Sequence, residues 1–301
     1  MAEAGSGSPS ARPGRLAVGV VGAGRVGAAL GAALAAAGHQ VTAVSAASDS
    51  SLARADAMLP GADVRAPQDV VASVDLALLA VPDDVLTDLV HGLVEVDVVR
   101  RGQLIAHTSG RYGLDVLEPV LAVGALPLAL HPVTALTGTS LDLGRLSGCC
   151  FGVTAPEALR PIAEALVIEM GGEPVWVAEE QRPLYHAALT LGSDHLVTLV
   201  AQAGDLLRQA GVTDPERLLG PLVTAAVDQA LTAPESRPTP FARGDASTVA
   251  AHRSVLEVSS REAGAAYVTL ARLAADRALA AGALSPDQAE SLLDALAGPA
   301  D

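Results

Sequence analysis

The chain contains neither lysine nor asparagine, and all 19 of its basic residues are arginine. That excludes a Schiff-base lysine, a P-loop lysine and a lysine general acid at once. Aromatics are 2% of 301 residues, so a core must be built from Ala, Val and Leu. There are two cysteines, Cys149 and Cys150, adjacent in an apolar run. Their spacing fits neither a metal site nor a redox Cys-x-x-Cys, so no metal is expected and the chain reads as cytoplasmic. Positive charge is scarce too. A net charge of −15 argues against nucleic acid or an anionic membrane as partner. An anionic substrate would have to be drawn in by local arginines. No apolar stretch has the uninterrupted length of a membrane span. Residues Met1 to Gly14, rich in Ser, Gly and Pro without an apolar centre, read as a disordered tail and not a signal peptide.

The most informative segment that is present is Gly22-Ala23-Gly24-Arg25-Val26-Gly27. It follows an apolar run, Leu16 to Val21, and opens an alanine-rich helix predicted from Arg25 to about Ala37. Strand, Gly-x-Gly-x-x-Gly, then helix is the context of a dinucleotide site. The first glycine permits the tight turn, the second lets backbone approach a pyrophosphate, and the third lets helix pack on strand. The helix start offers unpaired N–H groups and a positive dipole end. The next strand, Gln40 to Val44, usually ends near an acid that holds the ribose 2′-OH of NAD. Here Ser45 to Ser48 stand instead, with Arg54 beyond. Hydroxyls and a guanidinium suit a 2′-phosphate, which a carboxylate would repel, so the expected cofactor is NADP(H). Arg25 can stack on the adenine or reach the same phosphate; Arg54 can equally be a solvated helix residue.

Further strands are predicted at Asp75–Val81, Leu104–His107, Leu126–His131, Cys150–Val153 and Pro174–Val177, with a helix over Pro156–Met170. Residues 15–178 therefore read as an open α/β sheet of Rossmann type. From Glu179 strand signals vanish. Helices are predicted at Gln181–Ala210, Asp214–Leu231, Asp245–Val258, Glu262–Ala281 and Pro286–Leu296, making 179–301 an all-helical substrate and dimerisation domain. Their apolar stripes (Leu196, Leu199, Val200 and Leu206; Leu218, Leu222 and Val223) exceed what one small bundle buries, which points to a homodimer.

Ligands of open α/β sheets lie outside the carboxyl ends of the strands. Val81-Pro82 and Thr108-Ser109 sit at such ends and are candidate cofactor contacts, although Thr-Ser-Gly is also ordinary turn chemistry. His107 and His131 each end a strand, as structural residues or as catalysts. Arg182 and His186 share one helix face with positions 189 and 193. Following the last strand, that helix should start beside the carboxyl edge, so both residues are candidates to face a nicotinamide. Ala242-Arg243-Gly244-Asp245 reads as a loop closing on an N-cap at Asp245.

Together GAGRVG, LLAVPDD, HTSG, the LHP of Leu130–Pro132, LYHAA at Leu184–Ala188 and ARGD resemble a known group. It is the Rossmann-like oxidoreductases with a C-terminal helical domain of unknown function, in the 6-phosphogluconate dehydrogenase-like superfamily. The resemblance spans nearly the whole chain after the tail. It implies NADPH-dependent reduction of a small anionic keto or imino acid, since some similar proteins act as alternative ketopantoate reductases. Many superfamily members carry a catalytic Lys and, four residues on, Asn; the matching positions here are Arg182 and His186. A later Asn is matched by Asp194, which when ionised cannot donate. Arg182 can orient substrate but is a poor proton donor, which leaves His186 as first candidate for the acid. A non-catalytic NADP(H) sensor and a deazaflavin–NADP oxidoreductase are the alternatives.

Overall fold

The computed structural model describes residues 14–232, 240–241 and 243–297. The expected tail up to residue 13, and Ala242, lie outside the described residues. The chain divides into two compact units, one ending at Thr190 and one beginning at Leu191. In the first, strands and helices alternate: β1 (Ala17–Val21), α1 (Arg25–Ala36), β2 (Gln40–Ser45), α2 (Asp49–Met58), β3 (Asp63–Val64), α3 (Pro67–Ala72), β4 (Leu76–Leu79), α4 (Asp83–Glu95), β5 (Leu104–His107), α5 (Glu118–Ala122), β6 (Leu126–Pro132), α6 (Asp142–Leu146), β7 (Cys150–Thr154), α7 (Arg160–Glu169) and β8 (Glu173–Trp176). Then comes α8 (Arg182–Gly192), which runs two residues past the unit's end.

The eight strands form one sheet in the order β3-β2-β1-β4-β5-β6-β7-β8. Every pairing is parallel except β6 with β7, which is antiparallel. The central strands are uniform apolar runs because both faces are covered. One face packs Leu30, Leu34, Leu128 and Phe151 under α1 and α7; the other packs Val70, Leu86, Val90 and Leu117 under α3, α4 and α5. The strand order reverses between β1 and β4, and a ligand crevice lies at such a switch point. The two-residue β3 has no periodic signal and was not foreseen from the sequence.

The reversal of β7 has a local consequence. β8 also runs opposite to β1–β6, so its carboxyl end does not reach the edge where β1–β6 end. In register, Trp176 pairs Val153 and Val153 pairs Leu130. Helix α8 therefore starts beneath that edge and climbs toward it. This corrects the expectation that its first residues lie at the edge; that place falls to residues one turn later.

Asp142 is fully buried and organises the loop before α6. Its carboxylate accepts from the N–H groups of Thr137, Gly138 and Thr139 and from the Thr137 hydroxyl. Burial works to raise its pKa, and these bonds outweigh it and hold the pKa below the usual carboxylate value.

The second unit is helical: α9 (Asp194–Gln209), α10 (Pro215–Thr232), α11 (Ala246–Ser259), α12 (Arg261–Ala280) and α13 (Pro286–Ala297). The single helix expected over 181–210 is broken at Ser193. Gly192 weakens the helix there, and serine favours alternatives to helical bonding. Val249, Ala271, Ala275 and Leu292 form a small core among α11, α12 and α13. By contrast α9 buries only Gly204 and α10 only Pro215. Asp245 caps α11 as expected, accepting from Thr248 N–H at 3.1 Å. Among the described residues no helix is long and apolar enough to cross a membrane.

Candidate active site

The glycine loop between β1 and α1 is built as its spacing requires. Gly22 has φ +99°, and a Cβ there would lie 2.5 Å from the Ala80 carbonyl oxygen at the end of β4. A side chain on Gly27 would strike the Gly22 carbonyl. Gly24 faces open space, with nothing within 4 Å of where a Cβ would be. It is the N-cap of α1 and supplies no side-chain cap, so the first-turn N–H groups are offered outward. A phosphate group fits such a cradle. Ala23 is buried, Val26 is half-buried, and Arg25 is exposed at the first turn.

The residues expected to hold a 2′-phosphate divide. The Ser45 hydroxyl accepts from the Gly22 N–H at 3.1 Å and is buried, so it props the loop. Ser48 is exposed and caps α2, accepting from Ser51 N–H, with its hydroxyl 3.1 Å from that of Ser50. Arg54 donates to the Ala23 carbonyl at 2.8 Å and lies against Gly138 of the Asp142-held loop. It is thus fixed beside the glycine loop rather than solvated. Val81 abuts Gly22, and Pro82 begins α4.

At β5 and β6 a second group of residues meets. His107 is fully buried: Nε2–H donates to the Gly113 carbonyl at 2.6 Å and Nδ1 accepts from Ser109 N–H at 3.2 Å. Both nitrogens are occupied, which makes His107 structural. Burial, with the Arg182 charge adding and the Gly113 bond opposing, lowers its pKa to about 4. The Ser109 hydroxyl accepts from the N–H groups of Arg111 and Tyr112, so it is engaged within its own loop and not in the expected cofactor contact. Thr108 remains half-buried at the edge.

Arg182 is 0% exposed. Its Nε–H donates to Thr154 Oγ1 at 2.8 Å, and its terminal nitrogens donate to the carbonyls of Gly152 at 3.0 Å, Ala129 at 3.3 Å and Ser109 at 3.4 Å. The expected substrate-orienting role is therefore not what this side chain does. Its donors point inward because α8 starts beneath the edge, and they tie β6, β7 and the loop after β5 together. One turn on, Tyr185 and His186 reach His131. The Tyr185 hydroxyl lies 2.9 Å from His131 Nδ1, and the His131 and His186 rings stand edge to face with centroids 6.2 Å apart. Both rings crowd Gly110, where a Cβ would lie 2.7 Å from His186 Cδ2 and 2.9 Å from His131 Nε2. Burial first, then the charges of Arg182 and His186, lower the His131 pKa to about 4.

The sequence pointed to His131 and His186 but missed Tyr185 as their neighbour. Its position one residue before His186, three after Arg182, was the available signal. Glu179 was also missed; its carboxylate accepts from Leu114 and Asp115 N–H and shapes a cleft of about 440 Å³ with Arg111, Tyr112 and Thr87. Asp194 opens α9 in the second unit and accepts from the Ser193 hydroxyl at 3.3 Å. Among the described residues no cluster of His, Cys, Asp or Glu could hold a metal.

Residues 2–132 match the Rossmann-like domain family, and residues 149–274 match the domain of unknown function DUF2520. The chain joins a Rossmann-like domain to a DUF2520 domain. The latter supplies β7, β8 and α8 to the first unit. None of the curated proteins matches the chain in sequence. Solved structures share its fold. One designated an NADP oxidoreductase from Bacteroides fragilis is 18% identical with TM-score 0.73, covering 87% of this chain and 98% of its own. An imine reductase from Streptomyces aurantiacus is 19% identical with TM-score 0.62, covering 92% and 99%. A reductive aminase from Aspergillus terreus, solved with NADPH and ethyl levulinate, is 16% identical with TM-score 0.62, covering 93% and 99%.

The two lowered histidines make the fold acid-sensitive. Unfolded, each binds its proton near pH 6.5; folded, only near pH 4. Between those values the unfolded state holds more protons, so stability falls as pH falls through this window and the loss is complete below it. Denaturant unfolding at pH 7.5, 6 and 5 should show a decline of up to about 1.4 kcal/mol per pH unit per histidine. His107→Gln should remove one of the two contributions. A flat stability from pH 7 to 5 would contradict this assignment.

Proposed function

We propose that the protein is an NADPH-dependent oxidoreductase that reduces the C=O or C=N group of a small anionic keto or imino acid, in the manner of a ketopantoate reductase. One observation carries the reading. His131 and His186 meet over Gly110 on the same sheet edge that presents the open glycine loop. β1 and β6 are three strand spacings apart in the sheet, about 14 Å, a span for an extended dinucleotide lying along the edge. Solved structures of this fold include proteins named for imine reduction, at identities that carry the fold alone.

In this reading Gly22–Gly27 hold the pyrophosphate through backbone N–H groups, and Ser48 and Arg54 with Arg25 hold the 2′-phosphate. NADPH, when bound, supplies the hydride. His186 delivers the proton to the substrate oxygen or nitrogen, because no lysine exists and Arg182 is committed to carbonyls. Arg182, expected to orient the substrate, instead positions the histidines from below. The sensor alternative draws on the same inward-facing Arg182, which fills the place of a proton donor without donating. We also assign the apolar faces of α9 and α10 to a second copy of the chain, since Leu218 and Leu222 are exposed and Leu196, Leu199, Val200, Leu206 and Val223 only half-buried.

Three measurements test these assignments. Calorimetry should give NADPH a dissociation constant at least about tenfold below that of NADH. Ser48→Asp keeps the cap on α2 while placing a carboxylate by the phosphate, and should reverse the preference; tighter NADH binding by the wild type would overturn the assignment. In a panel of keto and imino acids followed by NADPH absorbance, His186→Ala should lower turnover by ~10²–10⁴-fold with NADPH affinity nearly unchanged. His186→Gln, which donates a hydrogen bond but does not titrate, should fall similarly. Full activity in both variants makes His186 structural, whereas tight NADPH binding with no turnover by the wild type favours the sensor. Light scattering at micromolar concentration should give the dimer mass; a monomer would sink the assignment of α9 and α10.

A further inference from the structure

Two glycines clear the space around His131. Gly110 leaves room for the imidazole and for His186. Gly152, paired with His131 across β6 and β7, leaves room for the Tyr185 ring, whose hydroxyl occupies the place a Cβ would take. Tyr185 also packs its ring near the Arg182 guanidinium, 5.8 Å from centroid to carbon, and edge to face against His131. Its hydroxyl has one hydrogen-bond partner among the described residues, His131 Nδ1. His131 Nε2 has none there; it lies beside Gly110, 2.9 Å from where a Cβ would stand.

A neutral imidazole has one N–H, and the partner of one nitrogen decides which nitrogen carries it. A phenol is a good donor and a weak acceptor, and here its proton has a single acceptor. Burial, the largest influence, raises the Tyr185 pKa and keeps that proton on oxygen. We propose that Tyr185 donates to Nδ1 and so fixes His131 as the Nε2–H tautomer, a neutral hydrogen-bond donor held beside Gly110 and His186. The inference rests on the reductase reading for its use. There, His131 would polarise the substrate's oxygen or nitrogen while His186 delivers the proton. Division of labour between the two rings follows from their settings. Arg182 and His186 on α8 disfavour a cation at His131, and Asp83 at the start of α4 favours one. With the pKa held near 4, His131 meets its ligand neutral.

The test is the two-bond ¹H–¹⁵N histidine spectrum of the full chain at pH 7.5, with His131 assigned by the signals that vanish in His131→Gln. The expected pattern has hydrogen on Nε2 and a bare Nδ1. In Tyr185→Phe the two nitrogens should move toward averaged values while the His107 pattern stays, because His107 is fixed by Gly113 and Ser109. Gly152→Ala, which displaces the hydroxyl without removing it, should do the same and replaces Tyr185→Phe if that variant fails to fold. Hydrogen on Nδ1, a doubly protonated ring, or an unchanged tautomer in the folded variant would overturn the proposal. Where a keto or imino acid is reduced, Tyr185→Phe should lower turnover roughly tenfold and leave the NADPH dissociation constant unchanged; undiminished turnover would overturn the donor role. If none is reduced, the reductase reading falls, and the spectra still decide the tautomer.

Discussion

The candidate site depends on one buried charge that has no carboxylate hydrogen-bonded to it among the described residues, with Glu179 favouring it from further off. The Arg182 guanidinium is satisfied by three carbonyls and a hydroxyl drawn from β6, β7 and the loop after β5. Removing a partnered buried charge leaves its acceptors unpaired, and that asymmetry locks the arrangement. The same charge helps hold His107 and His131 neutral. A guanidinium is better suited to this than an ammonium. It forks to several acceptors at once, and it does not lose its proton at any pH the protein meets. The field on the two histidines is therefore constant, and the pH response of the site belongs to imidazoles alone. In a chain without lysine, arginine is the only side chain that supplies a cation independent of pH near neutrality.

The roles of the three residues on α8 follow from strand polarity. Because β7 and β8 run against the other strands, α8 enters from below the edge. Arg182 is committed to carbonyls, while one turn higher Tyr185 lies against Gly152 and His186 against Gly110. The spacing of three and four residues thus separates a structural cation from the groups that face outward.

What could be read from the sequence was local. Gly22 and Gly27 announce their places because a positive φ at the one and the Gly22 carbonyl beside the other are constraints set within the turn, while Gly24 is read from the spacing alone. The helices of the second unit were legible because Gly211, Gly282 and Asp245 punctuate clear periodic patterns. The burial of Arg182 was not legible: its acceptors lie 28 to 73 residues away, and the direction of β7 decides whether they converge. Ser45 and Ser109 were read as ligand contacts by type, yet backbone N–H groups two to 23 residues away claim their hydroxyls. The break at Ser193 was hidden because the apolar stripe continues across it.

The helices α9 and α10 carry a consequence for dynamics. Between them they bury one glycine and one proline, so their own unit contributes little to holding them closed. Segments with so few buried contacts open at a small fraction of the global unfolding free energy. Their lifetime in the closed form is then set by whatever covers their apolar faces, and it lengthens with the concentration of that cover. Amide exchange and proteolysis in dilute solution should begin around the Gly211 turn between them, long before the sheet beneath the histidines exchanges a single strand.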